Sequence, residues 1–548
     1  LSAPRPCRIT PMRRAKKGKA MGLPVARLAQ TDLSPVLHGH MLAIRERAIE
    51  YGLTFHEVIF QSVPFDVMNQ IAAYGGFPTR YPHWRWGMEY EKLAKRDAYG
   101  LGRIYEMVIN TDPVYAYLQE SNSVTDQKLV MAHVYGHADF FRNNAWFART
   151  NRRMLDEMAN HATRVRRHID DHGHDTVERF IDACLSVEWL IDPFDAAAPT
   201  LATPAGAPRD AHGAGPGAGR GFVPDKLPAK DYLDRYINPP EEIERQRRAH
   251  EQASAERGRV PARPTRDVLA FLLRHAPLAP WQQDILAIVR DEAAYFVPQA
   301  MTKVMNEGWA SYWHSLLMTR HFVQASEIVC YCDQHAGVLH MPAGAFNPYK
   351  IGIELWRDIE RRWDTGQHGS AWESLDRLGA RERHDDRAGA GREQMFQVRR
   401  VYNDVSFIDE FFTEEFCASR GFFTTRTDEA SGQTRIASRD FAKVKSTLLH
   451  HLTNRGEPFI YVVDANHRNR GELLLAHPGG TGASAAKGAH ELDGQRAERV
   501  LRNLRLIWGR PVHLHSVYRE ELSLLSCESE DGPLTRERIS GDLAPPLS

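Results

Sequence analysis

The stretch PQAMTKVMNEGWASYWH, residues 298–314, sets one carboxylate, Glu307, inside an apolar, aromatic helical segment. Met305, Trp309, Tyr312 and Trp313 flank it, and an ionised carboxylate is costly to bury among such side chains unless a metal or a histidine meets it. The fold therefore has to deliver a partner to Glu307. A second stretch, MAHVYGHADFFRNN at 131–144, carries His133 and His137 one turn apart on one helix face. Gly136 beside them weakens the helix and allows close approach of a neighbour. Two histidines at this spacing and a glutamate on a second helix form the ligand set of many zinc hydrolases, which leave a fourth position open. His133, His137 and Glu307 are thus the candidate metal ligands, zinc the expected ion, and His314 lies two turns beyond Glu307 on a similar face. The competing reading is ordinary helix surface, because the chain has 26 histidines.

The length of 548 residues exceeds what one compact core needs, so two or three domains are expected. Seventy basic residues balance 70 acidic ones, which leaves no global field to recruit nucleic acid or acidic lipid. The basic run RRAKKGK, Arg13 to Lys19, reads as a solvated tail. No stretch reaches the roughly 18 apolar residues of a spanning helix, and nothing reads as an export signal, so a cytoplasmic protein without a membrane span is expected. Six cysteines are too sparse for a disulfide framework, and Cys330 and Cys332 read as buried thiols.

Periodicity and composition divide the chain into a basic tail (1–30), a helical first part (31–195), an Ala/Pro/Gly-rich and then charged linker or insertion (196–263), a helical second part (264–365), a polar linker (366–396), an α+β module (397–530) and a tail (531–548). Within these, helices are expected at about 126–142, 145–169, 174–191, 298–320 and 347–363. EPFIYVVDANHRNRGELLLAH reads as two strands joined by a turn at Asn466 to Gly471, followed by a helix ending at Gly509 and a strand in PVHLHSVYR. The fold class is α+β: a large, mainly helical domain with a small α+β C-terminal domain. HGH at 38–40 and at 172–174 reads as surface, GGTGASAAKG at 479–488 as a flexible hairpin extension, and Asn403-Asp404 as a turn.

Two resemblances follow from these residues. NEGWASYWH is similar to the gluzincin aminopeptidase helix that supplies a third zinc ligand, and HVYGHADFFRNN has the outline of the His-Glu-x-x-His helix of those enzymes. This resemblance implies a zincin-like N-terminal domain, but Val134 occupies the position of the general base. Over nearly the whole chain, YPHWRWGMEYEKL, YEMVINTDPVYAYL, MAHVYGHADFFRNN, the 276–314 segment, NPYKIGIELW, VYNDVSFIDEFFTEEF and the RGELLLAH to LIWGRPVHLHSV region resemble the stage V sporulation protein R (SpoVR) family. That resemblance implies a setting in spore cortex and peptidoglycan formation, or in stress physiology of bacteria that form no spores. It also implies, as partners, a PrkA-type serine protein kinase and a protein resembling von Willebrand A domains.

With Val134 unable to take a proton, a base has to come from Glu89, Glu91, Glu106 or Asp139. Glu106 is preferred, because it sits between Tyr105 and the apolar run MVIN, where burial raises a carboxyl pKa toward the range a base needs. Each of these carboxylates has a bland alternative as a helix cap or an arginine partner. His83, beside Trp84 and Trp86, reads first as a packed histidine and then as a fourth ligand or substrate contact. Asn143 and Asn144 read as a helix stop, with substrate orientation as the alternative. The functional expectation is a metal-dependent hydrolase of amide bonds in a peptide or peptidoglycan precursor. The alternative is a non-catalytic scaffold with a degenerate zincin-like core.

Overall fold

The computed structural model describes residues 33–98, 106–194, 236, 238–257, 260–341, 346–375, 378–427, 434–478, 490, 492–518, 521–530 and 532–539. The basic run at 13–19, the Ala/Pro/Gly-rich part of the 196–263 segment, GGTGASAAKG and the last nine residues lie outside them. The protein is α+β, and among the described residues no helix is long and apolar enough to cross a membrane.

Two helices form the centre. The histidine helix, Val124–Asn143, starts at a capping box in which the Ser123 hydroxyl accepts from Asp126 N–H and the Asp126 carboxylate accepts from Ser123 N–H. Its residues from Gln127 to Phe141 are all buried, so it lies within the core and not on a surface. The glutamate helix, Lys303–Leu317, is equally enclosed from Val304 to His314. Its N-terminal N–H groups have no local cap. The carboxylate of Asp404, 100 residues away, accepts from Val304 N–H at 2.8 Å and Met305 N–H at 2.9 Å. Asn403-Asp404 is thus more than a turn: Asn403 caps its own helix, Asp404–Phe411, while Asp404 caps the glutamate helix. The expected helix at 298–320 is in fact two. Pro298 lies inside Pro280–Met301, and the break falls at Thr302 (φ −128°), whose hydroxyl bonds back to the Pro298 carbonyl.

Glycines set how closely these helices pack. A Cβ on Gly136 would sit 2.7 Å from the Ala310 Cα, and one on Gly308 would sit 2.4 Å from the Gly352 backbone of helix Pro348–Thr365. The histidine, glutamate and Pro348–Thr365 helices therefore pack backbone to backbone. Trp309 and Trp356 fill the space beside them, with ring centroids 4.9 Å apart.

A small sheet of order β1-β3-β2 flanks this layer, with β1 (Val58–Val63) parallel and β2 (Glu106–Ile109) antiparallel to β3 (Val114–Gln119). A β-ribbon pairs β4 (Thr424–Thr427) with β5 (Thr434–Ser438). The C-terminal sheet has the order β10-β9-β8-β7-β6. Its strands are β6 (Tyr461–His467), β7 (Glu472–Ala476), β8 (Val512–Tyr518), β9 (Glu521–Cys527) and β10 (Thr535–Arg538). The β7 and β8 strands are parallel and joined through the helix Gly494–Trp508, which ends at a left-handed Gly509.

The cores cross the boundary expected at 397. Met395, Val398, Phe407, Ile408, Phe411, Phe416 and Val444 pack in the same cluster as the histidine and glutamate helices. The five-stranded sheet instead joins the helices Met154–His172, His174–Leu185, Val268–His275 and Pro280–Met301. The charged part of the 196–263 segment forms a helix, Pro240–Arg257, and the polar 366–396 segment holds short helices at Gly369–Glu373 and Leu378–Arg383. Cys330 and Cys332 are exposed, contrary to expectation, because only Tyr331 between them turns inward. No disulfide links the described cysteines.

The glycine contacts give a prediction of unusual sign. In an exposed helix Gly→Ala stabilises by about 1 kcal/mol. Here Gly308→Ala drives a methyl into the Gly352 backbone, and a loss of about 1–3 kcal/mol is expected. A urea midpoint that falls with an unchanged slope is the expected readout.

Candidate metal centre

The structure brings His133, His137 and Glu307 together, with ligand atoms all within 4.8 Å of one another. Glu307 Oε2 lies 3.4 Å from the Nε2 of His133 and 3.4 Å from that of His137. Four ligands at about 2.1 Å around a tetrahedral zinc stand about 3.4 Å apart, so the spacing suits such an ion. All three residues are buried, at 4 %, 6 % and 5 % exposure. No hydrogen-bond donor reaches Glu307 Oε2 in bonding geometry among the described residues, which leaves a buried carboxylate oxygen facing two ring nitrogens.

The far sides of the rings are occupied. His137 Nδ1 is 2.9 Å from Asn306 Oδ1, an acceptor, so Nδ1 carries a proton and Nε2 is the nitrogen free to hold a metal. His133 Nδ1 is 2.9 Å from His314 Nδ1, and His314 Nε2 is 3.0 Å from His335 Nδ1 on the helix Ile328–Leu339. With His133 Nδ1–H and His314 Nε2–H donating along this row, the Nε2 lone pair of His133 also points to Glu307. His137, moreover, stacks on Phe141.

The charges are arranged asymmetrically. Burial works to raise the Glu307 carboxyl, but Lys303, His137 and His133 together hold it well below its ordinary range. Lys303 Nζ sits 2.5 Å from Oε1, the oxygen turned away from the histidines. Burial and the neighbouring His137 lower the His133 pKa to about 4. For His137 burial acts in the same sense, yet the Glu307 charge outweighs it and the pKa is raised. A metal ion at the cluster would compete with protons for the His137 ring.

Glu106, the first residue of β2, is half-buried beside this group. Burial pushes its carboxyl to about 7, with His137 and Lys303 pulling it back and Glu307 pushing it further. Val134 is fully buried in the hydrophobic core, so no side chain at that position reaches the site with a carboxylate.

Other expected residues are placed elsewhere. Glu89 and Glu91 lie on the surface of helix Trp84–Ala98, paired with Lys92 and Lys95. Asp139 is fully buried and accepts from Arg399 at 2.5 and 2.6 Å, from Thr54 N–H and from the Trp309 indole. It cannot serve as a base, because its oxygens are committed to holding Arg399 and Trp309. Asn143 is bonded to Thr54 and the Asp139 carbonyl, and Asn144 to the Arg399 and Tyr402 carbonyls, so both amides stop the helix and tie it to neighbours. His83 is a packed histidine between Trp84 and Trp86, 3.2 Å from Asp182. His314 supports His133 and contributes no ligand atom to the three-residue cluster.

Sequence reasoning missed Lys303, Asn306, His335 and Tyr349. Lys303 could have been found from its i,i+4 spacing to Glu307. Tyr349, whose ring stacks on His133 at 6.2 Å and whose hydroxyl is held neutral by burial and by the charges of Glu307 and Glu106, comes from a separate helix and left no local signal. A cleft of about 760 Å³ lined by Trp146, Arg149, His161, Asp291 and Tyr295 contains none of the three cluster residues. Convergent ligand atoms, rather than volume, identify the site.

A family model described as "SpoVR like protein" matches residues 34–457. The chain is also similar to "Uncharacterized protein YcgB" of Escherichia coli (strain K12), at 28% identity over 496 residues, covering 84% of this chain and 86% of that one. No solved structure matches it.

The commitment of Asp139 separates structure from chemistry in a measurable way. Asp139→Ala leaves Arg399 buried without its partner and should cost about 3–5 kcal/mol in denaturant unfolding. Glu89→Ala, on the surface, should stay within about 0.5 kcal/mol of wild type.

Proposed function

Because the chain belongs to the SpoVR family, whose name carries no chemistry, we propose its function from the cluster itself: a metal-dependent hydrolase acting on an amide bond in a peptide or peptidoglycan precursor. The observation that carries this reading is the buried Oε2 of Glu307, without a hydrogen-bond donor, facing the Nε2 atoms of His133 and His137. A zinc ion held there would supply Lewis acidity and acidify a water molecule. Glu106 is the base in this proposal, since a carboxyl pKa near 7 lets it accept a proton close to neutral pH. Tyr349 and Lys303 flank the same space, offering a phenol and an ammonium to orient a carbonyl oxygen. A role in spore cortex or stress physiology, and action beside a PrkA-type kinase and a von Willebrand A-like protein in the cytoplasm, belong to this proposal.

Val134 favours a second reading, a scaffold that keeps the ligands but not the chemistry. Glu106→Gln decides between them. It preserves shape while removing the base, so hydrolysis of a peptide or muropeptide library should fall by about 10²–10⁴-fold with metal content unchanged. Undiminished hydrolysis would remove Glu106 from the mechanism, and no hydrolysis by zinc-loaded wild type would leave the scaffold.

The pH profile gives a further check. Bound metal adds positive charge beside Glu106 and pulls its pKa down. The acid limb of kcat/KM should therefore fall below pH 7, with activity lost as pH drops and Glu106 is protonated.

A further inference from the structure

We propose that Lys303 is a positioning residue that reserves a single oxygen of Glu307 for the metal; this rests on reading the His133, His137 and Glu307 cluster as a metal site. The two carboxylate oxygens have different surroundings. Oε1 receives the Lys303 ammonium at 2.5 Å, and Oε2 faces both histidines at 3.4 Å without a donor. The ammonium arrives from one turn earlier on the same helix, and that turn is fixed in place by Asp404, which binds the next two backbone N–H groups. The Tyr349 ring lies 5.9 Å below the ammonium and narrows the positions open to it.

A carboxylate can give a metal one oxygen or two. With Oε1 neutralised by a charge-assisted hydrogen bond, the second oxygen reaches a metal only by giving up that bond. Lys303 thus limits the protein to three ligand atoms and keeps a coordination position for water or substrate. Without the ammonium, Oε1 is free to turn onto the ion beside that water or substrate and supply a fifth ligand atom. The Lys303 side chain is 54% exposed, so its replacement leaves the core packing in place.

The test is the visible absorption of the cobalt(II)-loaded full chain, compared at equal cobalt occupancy for wild type, Lys303→Met and Lys303→Arg. Wild type and Lys303→Arg, which restores a charged donor, should show the intense bands of a four-coordinate ion. Lys303→Met should show bands reduced to about half or less, as a five-coordinate ion gives. Lys303→Ala provides the same comparison if methionine disturbs folding, as judged by circular dichroism. Equal spectra for wild type and the neutral variants would overturn the positioning role and leave the metal site standing. Absence of any cobalt band in wild type would instead overturn the reading of the cluster.

Discussion

A buried carboxylate is the constraint around which the centre of this protein is arranged. Glu307 is buried, and its charge is tolerable because Lys303 meets one oxygen and two histidines face the other. Removing an ionised carboxylate from water costs several kcal/mol even after relaxation. A fold that retains such a group must hold its partners in place. The enclosing helices do so through close backbone packing and a cap: Gly136 against Ala310, Gly308 against Gly352, and Asp404 on the first turn of the glutamate helix. Close backbone approach and a cap supplied from 100 residues away are how packing fixes the spacing between the histidines and the glutamate.

Other buried charges show the contrast. Asp139 lies two residues beyond His137, equally buried, yet every one of its contacts is structural: Arg399, Trp309 and Thr54 satisfy its oxygens. Arg80, Glu292 and His161 form another closed set under the guanidinium–indole contact with Trp86. The carboxylate oxygens of Asp139 and Glu292 are hydrogen-bonded, whereas Glu307 Oε2 is not. The difference between a satisfied buried charge and an orphaned one separates a strut from a candidate site.

Much of this was legible in the sequence because its signals are local. A glutamate amid aromatic residues, two histidines one turn apart and a glycine between helices can each be read within a dozen positions, as can the Asn466 to Gly471 turn and the helix stop at Gly509. What was not legible is tertiary. Periodicity cannot say that helices after Gly391 share a core with the histidine helix, or that Asp404 caps a helix begun at Lys303. His335 and Tyr349 enter the site from helices whose sequences carry no trace of it. Glu89 and Asp139 illustrate the opposite error, because composition offers carboxylates freely and only position tells a surface pair or a buried strut from a base. The helix break at Thr302 was hidden by Pro298, which normally begins a helix and here sits within one.

His133, His137 and Glu307 are the proposed holders of one metal ion. Element-resolved metal analysis of the purified full chain, beside a variant carrying His133→Ala, His137→Ala and Glu307→Ala, tests this assignment most directly. Near-stoichiometric metal in wild type and none in the variant, with helical circular dichroism retained, is the expected result. Wild-type protein that holds no metal even after reconstitution with zinc would contradict it.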